Sequence, residues 1–126
     1  EGAFIQGMGW LTMEELWWQP DDGSRQAGLL MTHAPSTYKI PTANDCPAEF
    51  NVALYGAANP AETVHRSKAV GEPPLLLPFA VFLAIRDAVS AAGGHRSDPP
   101  LRAPATPEAV LDALDAVRAA TGAAAS

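Results

Sequence analysis

The chain has 126 residues, 48% of them apolar and 17% charged, which suits one modest globular domain or a piece of a larger one. A formal net charge of −6 disfavours nucleic acid and anionic membrane surfaces as partners, since both recruit basic faces. Cys46 is the single cysteine, which excludes an internal disulfide and a cysteine-ligated iron–sulfur cluster within the chain and fits a reducing, cytoplasmic setting.

Glu1 stands where a start methionine would, and helix-like sequence follows at once, as expected of a piece cut from a longer polypeptide. Phe4, Met8 and Leu11, spaced i, i+4, i+7, predict an amphipathic helix over residues 1–13. Gly2, Gly7 and Gly9 each cost that helix about 1 kcal/mol relative to alanine. Three of them together imply that another backbone, or a ligand, passes very close. Next come Leu16-Trp17-Trp18, the turn residues Pro20-Asp21-Asp22-Gly23 and the apolar Leu29-Leu30-Met31, which together predict a β-hairpin. Residues 33–45 read as irregular, with Pro35 and Pro41. Residues 50–55 alternate well enough for a half-buried strand, which Gly56 to Pro60 ends.

The most unusual segment is Ser67-Lys68-Ala69-Val70-Gly71-Glu72-Pro73-Pro74. Its prolines fix φ, and Pro73 is expected to push Glu72 away from helical geometry. A helix is then predicted from Pro78 to Ala91 or Ala92, stopped by Gly93-Gly94 and apolar almost all round, hence buried on most sides. The longest apolar run, residues 75–85, is interrupted by Pro78 and falls short of the ~20 residues of a membrane span. No signal peptide is legible. A proline-rich link leads to a last helix, capped by Thr106-Pro107-Glu108 with Val110, Leu111, Leu114 and Val117 as its apolar stripe. Residues 122–126 read as a frayed tail. The expected class is α+β: hairpin strands packed with a buried helix and a C-terminal helix.

Ordinary catalytic patterns are absent: no nucleophile elbow, phosphate loop or dinucleotide fingerprint occurs. His33, His65 and His95 lack metal-ligand spacing, and Cys46 reads as an inert thiol. No residue is therefore assigned to a metal. On a strand Glu14 and Glu15 would point to opposite faces, so they are not a catalytic pair. Trp10, Trp17 and Trp18 suggest core or interface packing more than a binding platform. Glu72, between Gly71 and Pro73-Pro74, is one carboxylate on a stiff mount. That suits a general base, and equally a turn glutamate that ties down a helix N-terminus.

Four segments carry a family resemblance. The segment from Ser67 to Pro74 resembles the signature around the active-site glutamate of xanthine dehydrogenases and xanthine oxidases. Glu1-Gly2-Ala3-Phe4-Ile5-Gln6-Gly7-Met8-Gly9 is similar to the glycine-rich helix that follows their pterin-contacting glutamine. Pro35-Ser36-Thr37-Tyr38-Lys39-Ile40-Pro41 and Ala103-Pro104-Ala105-Thr106-Pro107-Glu108 match two further family segments in the same order. The likeness covers residues 1 to about 118 and departs from the family pattern at Pro78.

The resemblance implies that residues 1–126 form the C-terminal portion of the molybdopterin-binding domain of the family's large subunit. It implies that Glu72 is the catalytic base, deprotonating a molybdenum-bound hydroxide that attacks xanthine or hypoxanthine. Val70 and Gly71 would contact the molybdenum–molybdopterin cofactor, and Lys68 would hold the loop. FAD and 2Fe–2S clusters would lie in other domains or subunits, which would be this chain's partners along with the rest of the molybdopterin subunit. The short C-terminal part suggests a bacterial enzyme. Alone, the chain is expected to be inactive and to self-associate through faces that the missing parts cover. Two alternatives stand beside this reading: a related hydroxylase acting on aldehydes or other N-heterocycles, and a non-catalytic assembly module.

Overall fold

In the computed structural model, which describes residues 1–122, three α-helices are joined by long irregular segments and short 3-10 turns. Helix α1 spans Gly2–Thr12, helix α2 spans Phe79–Ala91 with Pro78 as its N-cap, and helix α3 spans Pro107–Thr121. All three lie where apolar spacing and capping residues predict them. Of the expected tail, only Gly122 falls within the described residues.

Helix α3 shows how side chains set the ends. Thr106 is extended, and its hydroxyl accepts a hydrogen bond from the Ala109 N–H at 3.2 Å. Pro107 fits the first turn, where its missing N–H would have had no helical partner anyway. Glu108 near the start and Arg118 near the end both favour the helix dipole. Gly122 closes the helix at φ 65°, donating its N–H to the Arg118 carbonyl.

The core lies between α2 and α3. Val89, Leu101, Ala105, Ala113 and Val117 are buried there, with Phe82, Ile85, Val110 and Leu114 packed around them. Leu111, expected on the apolar stripe, is instead exposed. The inward positions are 110, 113, 114 and 117, and residue 111 falls off that face by one helical step. Gly93 allows the close approach at the end of α2, since a Cβ there would meet Val117 Cγ1 at 2.5 Å. On the other side, α1 packs against α2 and the Pro73–Leu76 turn. Its C-terminal end is tied to the start of α3 by the Ala105 N–H, which donates to the Leu11 carbonyl at 2.7 Å.

The α+β expectation is overturned, because the described residues contain no strand or sheet. The hairpin region does turn back, but only as an isolated antiparallel bridge between Trp18 and Leu30. Gln19 N–H donates to Leu29 O at 2.9 Å and Met31 N–H to Trp17 O at 2.8 Å. At the next rung the Trp17 N–H turns to the Thr32 hydroxyl, at 3.0 Å. Two short segments without a third strand or a packed face do not extend a ladder. Residues 50–55 form no strand either. No neighbouring segment pairs with them, and Leu54 and Tyr55 are 97% and 91% exposed.

Helix α2 also departs from expectation. Only Val89 is buried on it, whereas Phe79 and Leu83 are more than half exposed, because α1 and α3 leave a third side open. Counted from Pro73, the helical stretch Pro73–Ala91 has 19 residues and a mean hydropathy of 1.6, long and apolar enough by composition to cross a membrane. The shorter count made from the sequence missed this by starting at residue 75 and breaking at Pro78. Here the stretch packs on two helices, and Arg86 pairs with Asp98 beside it.

We predict that Thr106→Ala lowers unfolding free energy by about 1 kcal/mol through loss of the α3 cap. Urea unfolding of the chain should show a lower midpoint at unchanged slope. An unchanged midpoint would show that this cap contributes nothing net.

Candidate active site

Residues 59–76 form a loop that is tied down at both ends and open in the middle. At the upstream end Asn59 is the organiser. Its side-chain NH₂ donates to the Arg66 carbonyl at 3.1 Å and the Thr63 hydroxyl at 3.3 Å, while its Oδ1 accepts from the Ala61 N–H at 3.0 Å. The Arg66 guanidinium returns a hydrogen bond to the Asn59 carbonyl at 3.2 Å. This closed knot holds His65 and Arg66 at φ 51° and 55°, a left-handed conformation that costs a non-glycine residue on the order of 1 kcal/mol. Lys68, expected to hold the loop, makes no hydrogen bond or ion pair among the described residues; Asn59 and Arg66 do that work.

At the downstream end, Glu72 is the N-cap of the Pro73–Leu76 turn, and its carbonyl accepts from the Leu75 N–H at 2.9 Å. Its backbone is helical, at φ −85° and ψ −37°, against the extended geometry expected before proline. Closing the turn requires that geometry, and its hydrogen bond, worth about 1 kcal/mol net, helps to offset crowding by the Pro73 ring. The side chain makes no capping hydrogen bond to the turn.

The result is an exposed carboxylate without a hydrogen-bond or salt-bridge partner among the described residues, mounted on a proline-stiffened turn. Val70 beside it is 77% exposed, and a Cβ at Gly71 would meet nothing within 4 Å. Gly71 therefore makes no close approach within this chain and is not at positive φ. The loop tip is accessible to a group bound outside the chain. No group of three or more His, Cys, Asp or Glu among the described residues could hold a metal. The open space at Gly71 leaves room for a bound group beside the loop.

The structure does not gather the remaining candidates around Glu72. His33 lines a groove of about 630 Å³ together with Leu16, Pro35, Tyr38 and Ile40. A second groove of about 490 Å³ lies between Ile5, Gln6, Glu14 and Pro41, with Ile40 as the shared wall. Neither groove includes residues 70–72. His95 faces Asp87 at 3.7 Å, and Cys46 is exposed. Trp10, Trp17 and Trp18 are 44–55% exposed, so they form no internal core.

Glu14 and Tyr38 make a link that the sequence did not reveal. The Tyr38 hydroxyl donates to Glu14 Oε2 at 2.5 Å, across 24 residues of chain. The Glu14 carboxylate lies over Gly9, where a Cβ would come within 2.5 Å of both Glu14 Oε1 and Pro41 Cδ. A glutamate just after a glycine-bearing helix was the only sequence signal, and its partner lies in the separate Pro35–Pro41 segment.

Residues 1–47 match the molybdopterin cofactor-binding domain family. The chain is 50% identical over 115 residues, 87% of its length, to a xanthine dehydrogenase of Oryza sativa subsp. japonica. It is 53% identical over 92 residues, 73% of its length, to a xanthine dehydrogenase of Dictyostelium discoideum. With the xanthine dehydrogenase/oxidase of Rattus norvegicus it shares 45% identity over 118 residues, 90% of its length. It spans only 6–8% of the length of these relatives. Together the comparisons relate the chain to molybdopterin cofactor-binding polypeptides. The chain belongs to the xanthine dehydrogenase family and is a fragment of that family's molybdopterin-binding subunit. These relatives are eukaryotic and lend no support to the bacterial origin expected from the short C-terminal part.

The Tyr38–Glu14 link has a pH signature. The hydrogen bond to Glu14 first, then desolvation and the Glu14 charge, push the Tyr38 hydroxyl above the ordinary tyrosine value of 10.0. A raised folded-state value means that the fold prefers the neutral phenol. Its stabilisation is therefore full below about pH 10 and lost as pH rises through the higher folded-state value. We predict that Tyr38→Phe is less stable than the parent near neutral pH and that the gap narrows in alkali. Chemical unfolding midpoints across that range check this, and a gap that is constant with pH would remove the link.

Proposed function

We propose that this chain is the C-terminal, catalytic-base segment of a molybdenum hydroxylase that acts on xanthine or hypoxanthine, with Glu72 as the base. The observation that carries this reading is the Glu72 carboxylate itself: exposed, without a partner among the described residues, and mounted on a short turn closed by its own carbonyl. A base needs a lone pair aimed at one place and free of competing donors. A surface glutamate on a flexible loop would supply the lone pair without the aim. The names of the relatives support purine chemistry, and the loop's resemblance to the family's glutamate signature supports the assignment.

In this proposal the Glu72 carboxylate accepts the proton of the oxygen nucleophile as it attacks the electron-poor purine carbon. It then holds that proton until turnover is complete. The molybdenum cofactor, when bound, supplies the two-electron acceptor that hydroxylation requires. Val70 and Gly71 would contact that cofactor, and the open space at Gly71 would let it come close. FAD and 2Fe–2S clusters belong to other domains or subunits, which together with the rest of the molybdopterin subunit are the partners. A cytoplasmic location fits the single, unpaired cysteine. By itself the chain has a base with no nucleophile to activate, and we expect it to be inactive.

In the intact enzyme we predict that Glu72→Gln lowers xanthine turnover by about 10²-fold or more. Molybdenum content should be unchanged, because the proposal gives Glu72 a proton-transfer role and no role as a ligand. A variant that retains more than about a tenth of the parent rate would remove Glu72 from the base role, since a general base contributes far more than that.

The open side of α2, with Phe79 and Leu83, and the exposed Trp10, Trp17 and Trp18 set large apolar side chains against water, as a surface meant to be covered would. We predict that the isolated chain self-associates. Light scattering over a dilution series should give a mass that rises with concentration, whereas a monomer at every concentration would contradict the prediction.

A further inference from the structure

We infer that Gly7 is a positioning residue for Glu72, an inference that rests on the reading of Glu72 as the base. Gly7 is buried in the middle of α1, where the turn that carries Glu72 comes down on the helix. A Cβ at Gly7 would sit 2.6 Å from Pro78 Cγ and 2.9 Å from the Leu75 carbonyl oxygen. Neither atom can swing aside: one belongs to a proline ring that is almost fully buried, and the other is backbone. Leu75 is also the residue whose N–H closes the turn on the Glu72 carbonyl at 2.9 Å, so a push on Leu75 is passed directly to Glu72.

The way α1 is held decides which side yields. On its far face Gly9 is pressed against Pro41 and the Glu14 carboxylate, and Glu14 is held by Tyr38. Leu11 is anchored by the Ala105 N–H, and the Phe4 ring lies 5.3 Å from that of Phe50. The Pro73–Leu76 turn has no such clamp: its residues are exposed or half-buried and the loop before it is open. A methyl group at Gly7 therefore displaces the turn, by the better part of an ångström, and carries Glu72 with it. Misplacing a reacting group by about 1 Å can cost on the order of 10²-fold in rate.

The test uses the intact enzyme and compares Gly7→Ala with the parent, with Glu72→Gln and with Gly7→Ala/Pro78→Ala. The expected result for Gly7→Ala is a kcat lower by at least about tenfold, with KM and molybdenum content near the parent's. A crystal structure of that variant should show Glu72 displaced while α1 and α3 stay in place. Removing the Pro78 ring in the double variant should restore part of kcat, which a general folding defect would not allow. Parent-like kcat in Gly7→Ala beside a dead Glu72→Gln would overturn the role of Gly7 and leave the base reading standing. An active Glu72→Gln would overturn both. If Gly7→Ala alone yields no loaded enzyme, Gly7→Ala/Pro78→Ala carries the test, since it keeps the added methyl group and removes the ring that the methyl group meets. Recovery of loaded enzyme in the double variant supports the inference, and a double variant that also fails to load overturns it.

Discussion

Close approach to helix α1 is the constraint on which the rest of the molecule depends. Gly7 and Gly9 are separated in sequence by Met8 alone, yet each faces a different segment: the Glu72 turn and Pro78 on one side, Pro41 and Glu14 on the other. With alanine at either position, one neighbour would have to move by more than van der Waals contact permits. The two glycines cost α1 about 2 kcal/mol in helix propensity. That cost is offset by joining elements that are distant in the chain. The interior has few fully buried large side chains, so backbone proximity takes on part of what a larger core would do.

This arrangement connects packing to function. The Glu72 turn is short, rich in proline and closed by one backbone hydrogen bond, so it has little freedom of its own. Its placement comes from the surfaces beneath it, and α1 is the one it rests on. Upstream, the Asn59–Arg66 knot keeps the approach to the loop compact despite two left-handed residues. Backbone strain of that kind persists only where the surroundings hold it, and it lies here a few residues before the proposed base.

The helices were legible in the sequence because each one is written locally. Thr106-Pro107-Glu108 fixes a start, Gly93-Gly94 fixes an end, and Phe4, Met8 and Leu11 set a period. The strands were misread because alternation over residues 50–55 satisfies a local pattern, while a strand also requires a partner edge that no other segment provides. At the hairpin the turn was legible and the length of the ladder was not, since Thr32 competes for the next hydrogen bond. The stiff mount of Glu72 was legible from its flanking residues, but its helical backbone was not: the preference imposed by Pro73 is local, and the hydrogen bond from Leu75 helps to offset it. The contacts Gly7–Pro78 and Glu14–Tyr38 join residues far apart in sequence. The glycines announced that something would come close, and only the structure shows what does.

The central claim is that a rigidly mounted Glu72 stands within reach of the reacting oxygen. The most direct measurement is a crystal structure of the intact, cofactor-loaded enzyme with a slow substrate bound. The account predicts a Glu72 carboxylate oxygen at hydrogen-bonding distance, roughly 2.6–3.2 Å, from the oxygen transferred to the substrate, or joined to it through one water. A Glu72 carboxylate turned away from that oxygen, with another residue in its place, would contradict the account.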